Sequence, residues 1–349
     1  MAKINNKKSL KERIDNELEY YKTHKDERIL KPEFPKNIMI DLCNACNHEC
    51  VFCMNRFMTR KVTRMQPSLY TKIIDQAQNL GVEELGLYAT GEPFMHTRLE
   101  DFVKEAKDKK FKYVYISTNG ALVGHDRLKK VMDAGLDSIK FSINAGSKKT
   151  YNLIHGEDEW DKVVDNVFFV SKYRANNNLK LSIFISFVVT NLTKNERKDI
   201  EKIFSDRADE IIFVDCDSQQ GQMLANEELC KPTNLISTCS LPFNRAHVTS
   251  EGYLTLCCVD YQNYLAVADL SKTDLLSAWN SKSFVDMRKR HIEDKLQDTL
   301  CENCLRNTDA DISPLQSDLA TTLNFPKFYK ESAEEMKVVL INREENDNN

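Results

Sequence analysis

The chain has 349 residues, 41% hydrophobic and 29% charged, which is long enough for one large globular domain and a smaller one. Its formal net charge of −4 lacks the basic excess of nucleic-acid-binding proteins. The start, MAKINNKK, has no apolar stretch behind its positive charge, and no apolar run approaches the ~20 residues of a membrane span. We therefore expect a cytoplasmic protein that binds neither nucleic acid nor membrane.

The predicted elements alternate between helices and strands in chain order. A charged segment with one apolar helical face predicts an outer helix over residues 10–31. Strands are predicted over residues 37–42, 84–88, 113–117, 138–142, 181–190 and 210–214. Helices are predicted between them over residues 68–80, 99–109, 127–134, 148–176 and 194–204. Repeated β-α units predict a parallel sheet, and six of them predict a partial barrel. Active residues of such folds lie at the carboxyl ends of the strands.

Eleven cysteines in a reducing compartment indicate metal binding or catalysis rather than disulfide bonds. Cys46, Cys50 and Cys53 follow the first strand with the spacing C-x3-C-x2-C. A [4Fe–4S] cluster held by three thiolates leaves one iron open to a ligand, whereas four thiolates close it. Cys43 could extend the set to a zinc or ferredoxin-like motif. Zinc modules separate their ligand pairs by a longer loop, and bacterial ferredoxins order their cysteines differently.

Polar loops follow the next three strands. They read Ala89-Thr90-Gly91-Glu92-Pro93, then Ser117-Thr118-Asn119-Gly120, then Ser142-Ile143-Asn144. Each loop by itself is an ordinary turn signal. Their succession after consecutive strands makes coincidence a poor explanation, so we expect them to line one site.

A second cysteine set lies toward the C-terminus. Cys239, Gly252 and Cys257 are spaced C-x12-G-x4-C, and Cys301 and Cys304 form a C-x2-C pair. Residues 249–256 predict a β-hairpin around a Glu-Gly turn. Four thiolates gathered by this hairpin predict a closed site, for which structural zinc is the default. Cys258 adjoins Cys257 and could replace it.

These motifs resemble the radical S-adenosylmethionine (SAM) enzymes over about residues 37–306, and the second cysteine set resembles their SPASM/twitch region. The resemblance implies an α/β fold, a partial (β/α)6 TIM-like barrel followed by a small β-hairpin and helix iron–sulfur domain. We expect a helical extension over 1–36, the barrel over 37–215, the auxiliary-cluster domain over 216–310 and a tail over 311–349. The polar end of that tail is expected to be disordered.

The resemblance also implies two [4Fe–4S] clusters. Cys46, Cys50 and Cys53 would hold the SAM-binding cluster, and Cys239, Cys257, Cys301 and Cys304 the auxiliary one. No cysteine follows Cys304, which departs from the full SPASM pattern toward the single-cluster twitch form. The implied SAM contacts are Phe52, Thr90, Gly91, Glu92, Pro93, Ser117, Asn119 and Ser142. Asn144 stands where family members often have aspartate, so its role stays open.

The resemblance implies reductive cleavage of SAM to a 5′-deoxyadenosyl radical, with electrons from an external donor such as flavodoxin or ferredoxin. An auxiliary cluster offers an outlet for one substrate electron, which favours a dehydrogenase-type oxidoreductase acting on a small polar substrate, a sugar or cyclitol alcohol. The short amino-terminal segment supports a small-molecule substrate, because many peptide-modifying relatives carry a leader-binding domain.

Three alternatives remain open from the sequence. The first is a peptide- or protein-modifying enzyme, and the second is an epimerase in which Cys216 or Cys230 returns a hydrogen atom. A buried small hydrophobe is the default for either cysteine. The third is a non-enzymatic iron–sulfur electron carrier or zinc-stabilised binding module. Further polar candidates near loop ends are Asp215, Asp217, His155 and Glu157.

Overall fold

The computed structural model describes residues 30–216, 229, 239–306, 308 and 310–320. The helix predicted over residues 10–31 lies almost entirely outside these residues. Asp217, Cys230 and the tail beyond residue 320 also lie outside them, so the predictions for these parts stay predictions.

Six parallel strands form the predicted partial barrel. They are β1 (Asn37–Ile40), β2 (Glu84–Gly86), β3 (Tyr113–Thr118), β4 (Ser138–Ser142), β5 (Ser182–Val189) and β6 (Glu210–Asp215). Each strand pairs with the next in chain order. β6 is an edge of the sheet, so the barrel is not closed. The α/β class and the partial barrel are confirmed.

Helices cross over between the strands. They are α1 (Pro67–Asn79), α2 (Leu99–Asp108), α3 (His125–Asp133), α4 (Lys148–His155), α5 (Trp160–Asn176) and α6 (Arg197–Phe204). The single helical region expected over residues 148–176 is wrong, because Gly156 ends α4 in a left-handed conformation with φ of 79°. The apolar residues of α4 and α5 form one continuous helical pattern in the sequence, which predicted a single helix. No helix among the described residues is long and apolar enough to cross a membrane.

A small C-terminal region extends the same sheet beyond β1. β7 (Ala246–Val248) pairs parallel with β1, and β8 (Tyr253–Thr255) and β9 (Ala266–Asp269) follow antiparallel. The predicted hairpin is therefore present, with Gly252 at φ of 89° in its turn. The region's helices are α7 (Leu241–Asn244), α8 (Leu275–Trp279), α9 (Lys282–Glu293) and α10 (Leu300–Arg306).

Alternation along the strands separates the apolar core from the barrel interior. Buried apolar residues such as Leu85, Val114 and Ile139 pack against the helices. The intervening residues, such as Tyr115 and Lys140, line cavities inside the barrel. Burial of a large aliphatic side chain contributes roughly 1.5–3 kcal/mol, so the outer face stabilises the fold. The inner face is thereby left to polar side chains.

Candidate active site at the carboxyl ends of the strands

A cavity of about 220 Å³ lies where the strands end. Its lining brings together the three cysteines of the first set and most of the implied SAM contacts. The lining residues are Cys46, His48, Cys50, Phe52, Cys53, Asn55, Tyr88, Ala89, Thr90, Gly91, Glu92, Ser117, Thr118, Asn119, Ser142, Asn144, His155, Ser186, Val188 and Tyr261. Of the implied SAM contacts, only Pro93 is outside this lining; it is buried at the start of a 3-10 turn.

The loop after β2 docks directly against the cysteine loop through Gly91. A Cβ atom at Gly91 would lie 2.1 Å from the Cys43 carbonyl oxygen and 2.5 Å from that of Ala45. The backbone N–H of Glu92 donates to Ala45 O at 2.9 Å. Asn55 Nδ2 also donates to Thr90 O at 2.7 Å. Glycine is required at position 91 because two backbones meet there.

Glu92 organises the loops around it. Its carboxylate accepts hydrogen bonds from Thr118 Oγ1 at 2.7 Å, the Asn119 N–H at 2.8 Å and the Phe94 N–H at 3.1 Å. The side chain is buried, and burial raises the pKa of Glu92 to about 7 in spite of these hydrogen bonds. A cationic group bound in the cavity would favour its ionised form.

The loops after β3 and β4 complete the cavity wall. Asn119 Nδ2 donates to Asn47 Oδ1 at 2.9 Å and lies 3.8 Å from Cys46 Sγ. The hydroxyls of Ser117 and Ser142 lie 3.3 Å apart. Asn144 has a φ of 58°, and its Oδ1 accepts from the Val188 N–H at 2.9 Å. Asparagine suits this left-handed position, so residue 144 joins two strand ends structurally.

Two histidines lie beside the cysteine loop. His155 Nε2 donates to Ile143 O at 2.7 Å, which leaves Nδ1 of the neutral ring as an acceptor. This Nδ1 lies 3.2 Å from Cys50 Sγ and 3.2 Å from His48 Nδ1, while His48 Nε2 contacts Glu159 Oε2 at 3.0 Å. His48, Cys50 and His155 thus place donor atoms within 4.8 Å of one another. An imidazole next to a ligand sulfur is typical of the outer shell of a metal centre.

The first cysteine set fits an iron–sulfur cluster with an open position. Three thiols face one cavity together with uncharged and acidic groups that a SAM molecule could contact. Burial raises the pKa of Cys46 to about 12 and also raises the pKa of Cys53. Thiolates at such positions need a metal, which deprotonates coordinating thiols. The chemistry of this donor set therefore suits the cofactor that the spacing predicted.

The second set is also brought together. Burial is the main cause that raises the pKa of the Cys301 thiol, and the nearby thiols of Cys239 and Cys304 raise it further. A hydrogen bond with Cys258, burial and the nearby Cys239 thiol raise the pKa of Cys257. Cys239 is therefore within electrostatic reach of Cys257 and Cys301, and Cys304 is within reach of Cys301. Cys304 is exposed and the other three are half-buried. Thiols gathered in this way suit a four-thiolate centre.

Tyr261 links the two cysteine sets and was missed from the sequence. Its hydroxyl lies 3.5 Å from Cys53 Sγ, although it follows Cys257 by only four residues. The same loop fixes the cysteine loop through Gln262 Oε1, which accepts from Thr59 Oγ1 at 3.0 Å. No local pattern signals this contact, because it joins residues that are 208 positions apart.

A buried polar cluster clamps the same interface. Arg60 Nη1 pairs with Glu251 Oε2 at 3.0 Å and donates to Asn263 Oδ1 at 2.8 Å. Its Nη2 donates to Thr90 Oγ1 at 3.1 Å, and that hydroxyl donates to Asp41. Burial raises the pKa of Asp41 to about 6. The cluster connects the cysteine loop, the loop after β2 and the C-terminal hairpin.

The weaker catalytic candidates do not converge on the cavity, apart from His155. Asp215 and Glu157 are exposed and do not line it. Cys216 is buried, but it takes part in a disulfide bond, contrary to the expectation that the cysteines are reduced. In this state it has no S–H hydrogen to donate to a substrate radical.

Comparison with known families agrees with this geometry. Residues 40–203 match the Radical SAM superfamily, and residues 239–305 match the SPASM iron–sulfur cluster-binding domain. The chain belongs to the radical SAM superfamily and carries a SPASM-type iron–sulfur domain. Both families imply iron–sulfur clusters, and the first implies SAM.

Individual relatives are distant. A protein of Methanocaldococcus jannaschii is 27% identical over 50% of this chain, which spans about half (54%) of that protein. A probable GTP 3′,8-cyclase of Sulfurisphaera tokodaii is 24% identical over 68% of this chain and 86% of its own length. The SAM-dependent 2-deoxy-scyllo-inosamine dehydrogenase of Niallia circulans is 23% identical over 76% of this chain and 91% of its own.

Solved structures share the fold at low identity. BtrN in complex with AdoMet and 2-DOIA has a TM-score of 0.54 at 21% identity, covering 78% of this chain and 94% of its own. Streptococcus suis SuiB bound to the precursor peptide SuiA has a TM-score of 0.60 at 16% identity, covering 82% of this chain and 74% of its own. Small-molecule and peptide complexes are thus both found on this fold.

Proposed function

We propose that this chain is a radical SAM oxidoreductase of the dehydrogenase type that oxidises a small polar alcohol, a sugar or cyclitol. The observation that most supports this proposal is the contact between Tyr261 and Cys53, with 3.5 Å between Oη and Sγ. Through it, the loop that begins with Cys257 forms part of the wall of the cavity that holds the first cysteine set. A second redox centre beside the reaction cavity suits the removal of a substrate electron.

The proposed ligands are those of the sequence prediction. Cys46, Cys50 and Cys53 would hold one [4Fe–4S] cluster, and Cys239, Cys257, Cys301 and Cys304 a second one. With SAM bound, the first cluster would supply a 5′-deoxyadenosyl radical once an external donor such as flavodoxin or ferredoxin provided an electron. The remaining chemistry depends on how the protein positions SAM and substrate.

The described residues indicate how SAM is positioned. The ionised carboxylate of Glu92 would attract the methionyl amine, and its three hydrogen-bond donors fix its orientation. Asn119, Ser117 and Ser142 would contact the ribose and the methionine end from the adjacent strands. Phe52 and Thr90 would contribute the remaining walls. Gly91 allows the two loops that carry these groups to meet.

The Niallia circulans relative supports a small-molecule alcohol, because its name describes a SAM-dependent dehydrogenase and its alignment spans 91% of its length. Peptide modification is the second candidate. The fold likeness to SuiB, at a TM-score of 0.60, favours it, as does the likeness to anSMEcpe with bound AdoMet and peptide, at 0.58. Epimerisation through Cys216 is disfavoured, because that sulfur is in a disulfide bond.

The test uses anaerobically reconstituted enzyme with dithionite, SAM and a panel of sugar and cyclitol alcohols deuterated at the carbinol carbon. We expect deuterium in 5′-deoxyadenosine together with one equivalent of ketone. The Cys301→Ala variant is expected to cleave SAM but to form no ketone. Modified peptide products without turnover of any alcohol would contradict the proposal in favour of peptide modification.

A further inference from the structure

A surface loop of residues 61–64, here called the basic loop, lies against the start of the cysteine loop. Lys61 O accepts a hydrogen bond from Asn44 Nδ2 at 2.9 Å, and Arg64 forms an antiparallel β-bridge with Cys43. Cys43 and Asn44 are fully buried, and the first predicted cluster ligand follows two positions after Asn44. No residue of the basic loop lines the cavity that contains the cysteines. The loop therefore covers the cysteine loop from outside that cavity.

The basic loop presents two cations and one apolar side chain to solvent. Lys61 and Arg64 are exposed. Val62, between them, is 60% exposed, the highest value among the exposed large apolar side chains of the described residues. Thr63 fixes the backbone, because its N–H donates to Asn44 Oδ1 at 2.8 Å and its hydroxyl lies 2.5 Å from that of Ser250. One exposed apolar residue is ordinary by itself. Here it is held between two cations beside the predicted cluster.

Further cations lie next to the basic loop. Arg64 Nε donates to Met95 O at 3.2 Å. The guanidinium groups of Arg64, Arg127 and Arg98 all lie near the next residue, the buried His96. Burial is the main cause that lowers the pKa of His96, and these three positive charges lower it further. The basic loop is thus part of a larger positive surface.

Nearby carboxylates compensate only part of this charge. Arg98 and Arg127 each form an ion pair with a carboxylate of α2. Lys61 and Arg64 form no ion pair with a carboxylate in the part of the chain that the structure describes. The whole chain has a formal net charge of −4, so the positive surface is a local feature. Such a surface attracts an acidic partner and raises its rate of association.

The place of the basic loop indicates what the partner would do. The proposed function needs an external electron to cleave SAM, and the first cysteine set would receive it. A carrier protein on the basic loop would contact the segment that leads into this set. Electron carriers bind through small, transient interfaces. The dimethylbenzene edge of a flavin is apolar, so Val62 between two cations suits an acidic flavoprotein.

We propose that the basic loop, with Arg98 and Arg127 beside it, is the docking surface for an acidic flavodoxin that serves as the external electron donor. The inference rests on the proposed function and names the partner of the same site. In the complex, reduced flavodoxin loses one electron and the first cluster gains it. Lys61 and Arg64 would pair with flavodoxin carboxylates, and Val62 would contact the flavin edge.

Calorimetric titration of oxidised flavodoxin into reconstituted enzyme measures docking without turnover. At low ionic strength we expect saturable binding to the wild type. The Lys61→Glu/Arg64→Glu variant should bind at least about tenfold more weakly, because two attractions become repulsions. The Lys61→Arg/Arg64→Lys variant keeps both charges and should retain most of the affinity. Added salt should weaken binding to the wild type, because it screens exposed charges.

The matched control is Lys172→Glu/Lys202→Glu, which reverses two exposed charges on α5 and α6, before the strands at the other edge of the barrel. It is expected to bind flavodoxin like the wild type. Iron content and SAM affinity, expected to be equal in all variants, verify folding. Absence of saturable binding to the wild type, or equal binding to the two charge-reversal variants, would overturn the proposal.

The rate of electron transfer provides the second arm. Reduced flavodoxin is mixed anaerobically with SAM-loaded enzyme, and the absorbance of its flavin follows the oxidation. Lys61→Glu/Arg64→Glu should react at least about tenfold more slowly than the wild type. With dithionite, which needs no docking surface, the two enzymes should be reduced at nearly the same rate. Equal slowing with both reductants would overturn the proposal, because the substitutions would then have damaged the cluster itself.

The outcomes also separate this inference from the proposed function. If no alcohol is oxidised while flavodoxin binding still depends on Lys61 and Arg64, the proposed function fails but the docking surface stands. If alcohols are oxidised and flavodoxin reduces the wild type and the variant equally fast, the docking surface fails and the function stands. Reduction by ferredoxin but not by flavodoxin would overturn the assignment of a flavoprotein.

Discussion

The two cysteine regions differ in how the fold surrounds them. The first set lines a cavity of about 220 Å³, and loops from β2, β3 and β4 contribute polar groups beside it. The second set is gathered by a short hairpin and α10; three of its thiols pack against the apolar core, and none lines that cavity. Open iron chemistry needs space and polar ligands, whereas an electron-transfer centre needs neither. The contrast supports the proposal that substrate chemistry takes place at the first region and electron transfer at the second.

Gly91→Ala gives the largest expected effect, because it should break the first region alone. The new Cβ would lie 2.1 Å from a backbone oxygen, which forces the two loops apart. A cost of about 3 kcal/mol corresponds to roughly 100-fold weaker SAM binding. Calorimetry measures the loss of SAM affinity. Iron analysis is expected to show that the second cluster remains. Gly124→Ala, with no neighbour within 4 Å of its added Cβ, is the control. Normal SAM binding by Gly91→Ala would refute the docking account.

His155→Leu probes the outer shell of the first region. Its Nδ1 is 3.2 Å from Cys50 Sγ, and loss of such a partner typically costs about 10- to 100-fold in metal affinity. We expect the first cluster to lose iron to a chelator faster than in the wild type. The absorbance of the cluster measures this loss. His125→Leu, at an exposed histidine paired with Asp165, should lose iron at the wild-type rate. Equal rates for both variants would remove His155 from the metal centre.

The pH dependence of SAM affinity tests Glu92. Since burial raises its pKa to about 7, the carboxyl is mostly protonated at pH 6 and mostly ionised at pH 8. SAM affinity should therefore rise about five- to tenfold from pH 6 to pH 8, because the ionised carboxylate attracts the methionyl amine. Calorimetry at several pH values measures the rise. Glu92→Gln should abolish the dependence; a rise that persists in this variant would assign it to another group.

The same raised pKa has a consequence for stability. A carboxyl with a folded-state pKa above its unfolded value stabilises the fold at acidic pH, and this contribution is lost as the pH rises through about 7. Without SAM, the wild type should thus lose more stability between pH 5 and pH 8 than Glu92→Gln does. Thermal unfolding of the SAM-free proteins at both pH values compares them.

Tyr261→Phe gives the smallest expected effect and tests the connection between the two regions. It removes only the hydroxyl that lies 3.5 Å from Cys53 Sγ, a contact of about 0.5–1.5 kcal/mol. We expect a roughly threefold decrease in ketone formed per SAM cleaved, with iron content unchanged. Product ratios from the deuterated substrate measure it. An unchanged ratio would show that the hydroxyl does not influence coupling.

Local patterns were sufficient to predict the barrel and the cysteine loop. Strand and helix periodicity placed all six barrel strands, since each repeats a short apolar run followed by a polar loop. The break at Gly156 was missed, because α4 and α5 present continuous apolar faces. Contacts between distant segments carried no local signal. The roles of Tyr261 and Arg60 became visible only in the folded structure, because their partners are distant in the sequence.

The count of iron and sulfide in anaerobically reconstituted protein tests the central claim most directly. Wild type is compared with the Cys46/Cys50/Cys53→Ala variant. Two [4Fe–4S] clusters predict about eight irons in the wild type and about four in the variant. About four irons falling to none, with zinc retained at the second set, would contradict the account. The second region would then be structural, and the chemistry would have to proceed without an electron outlet.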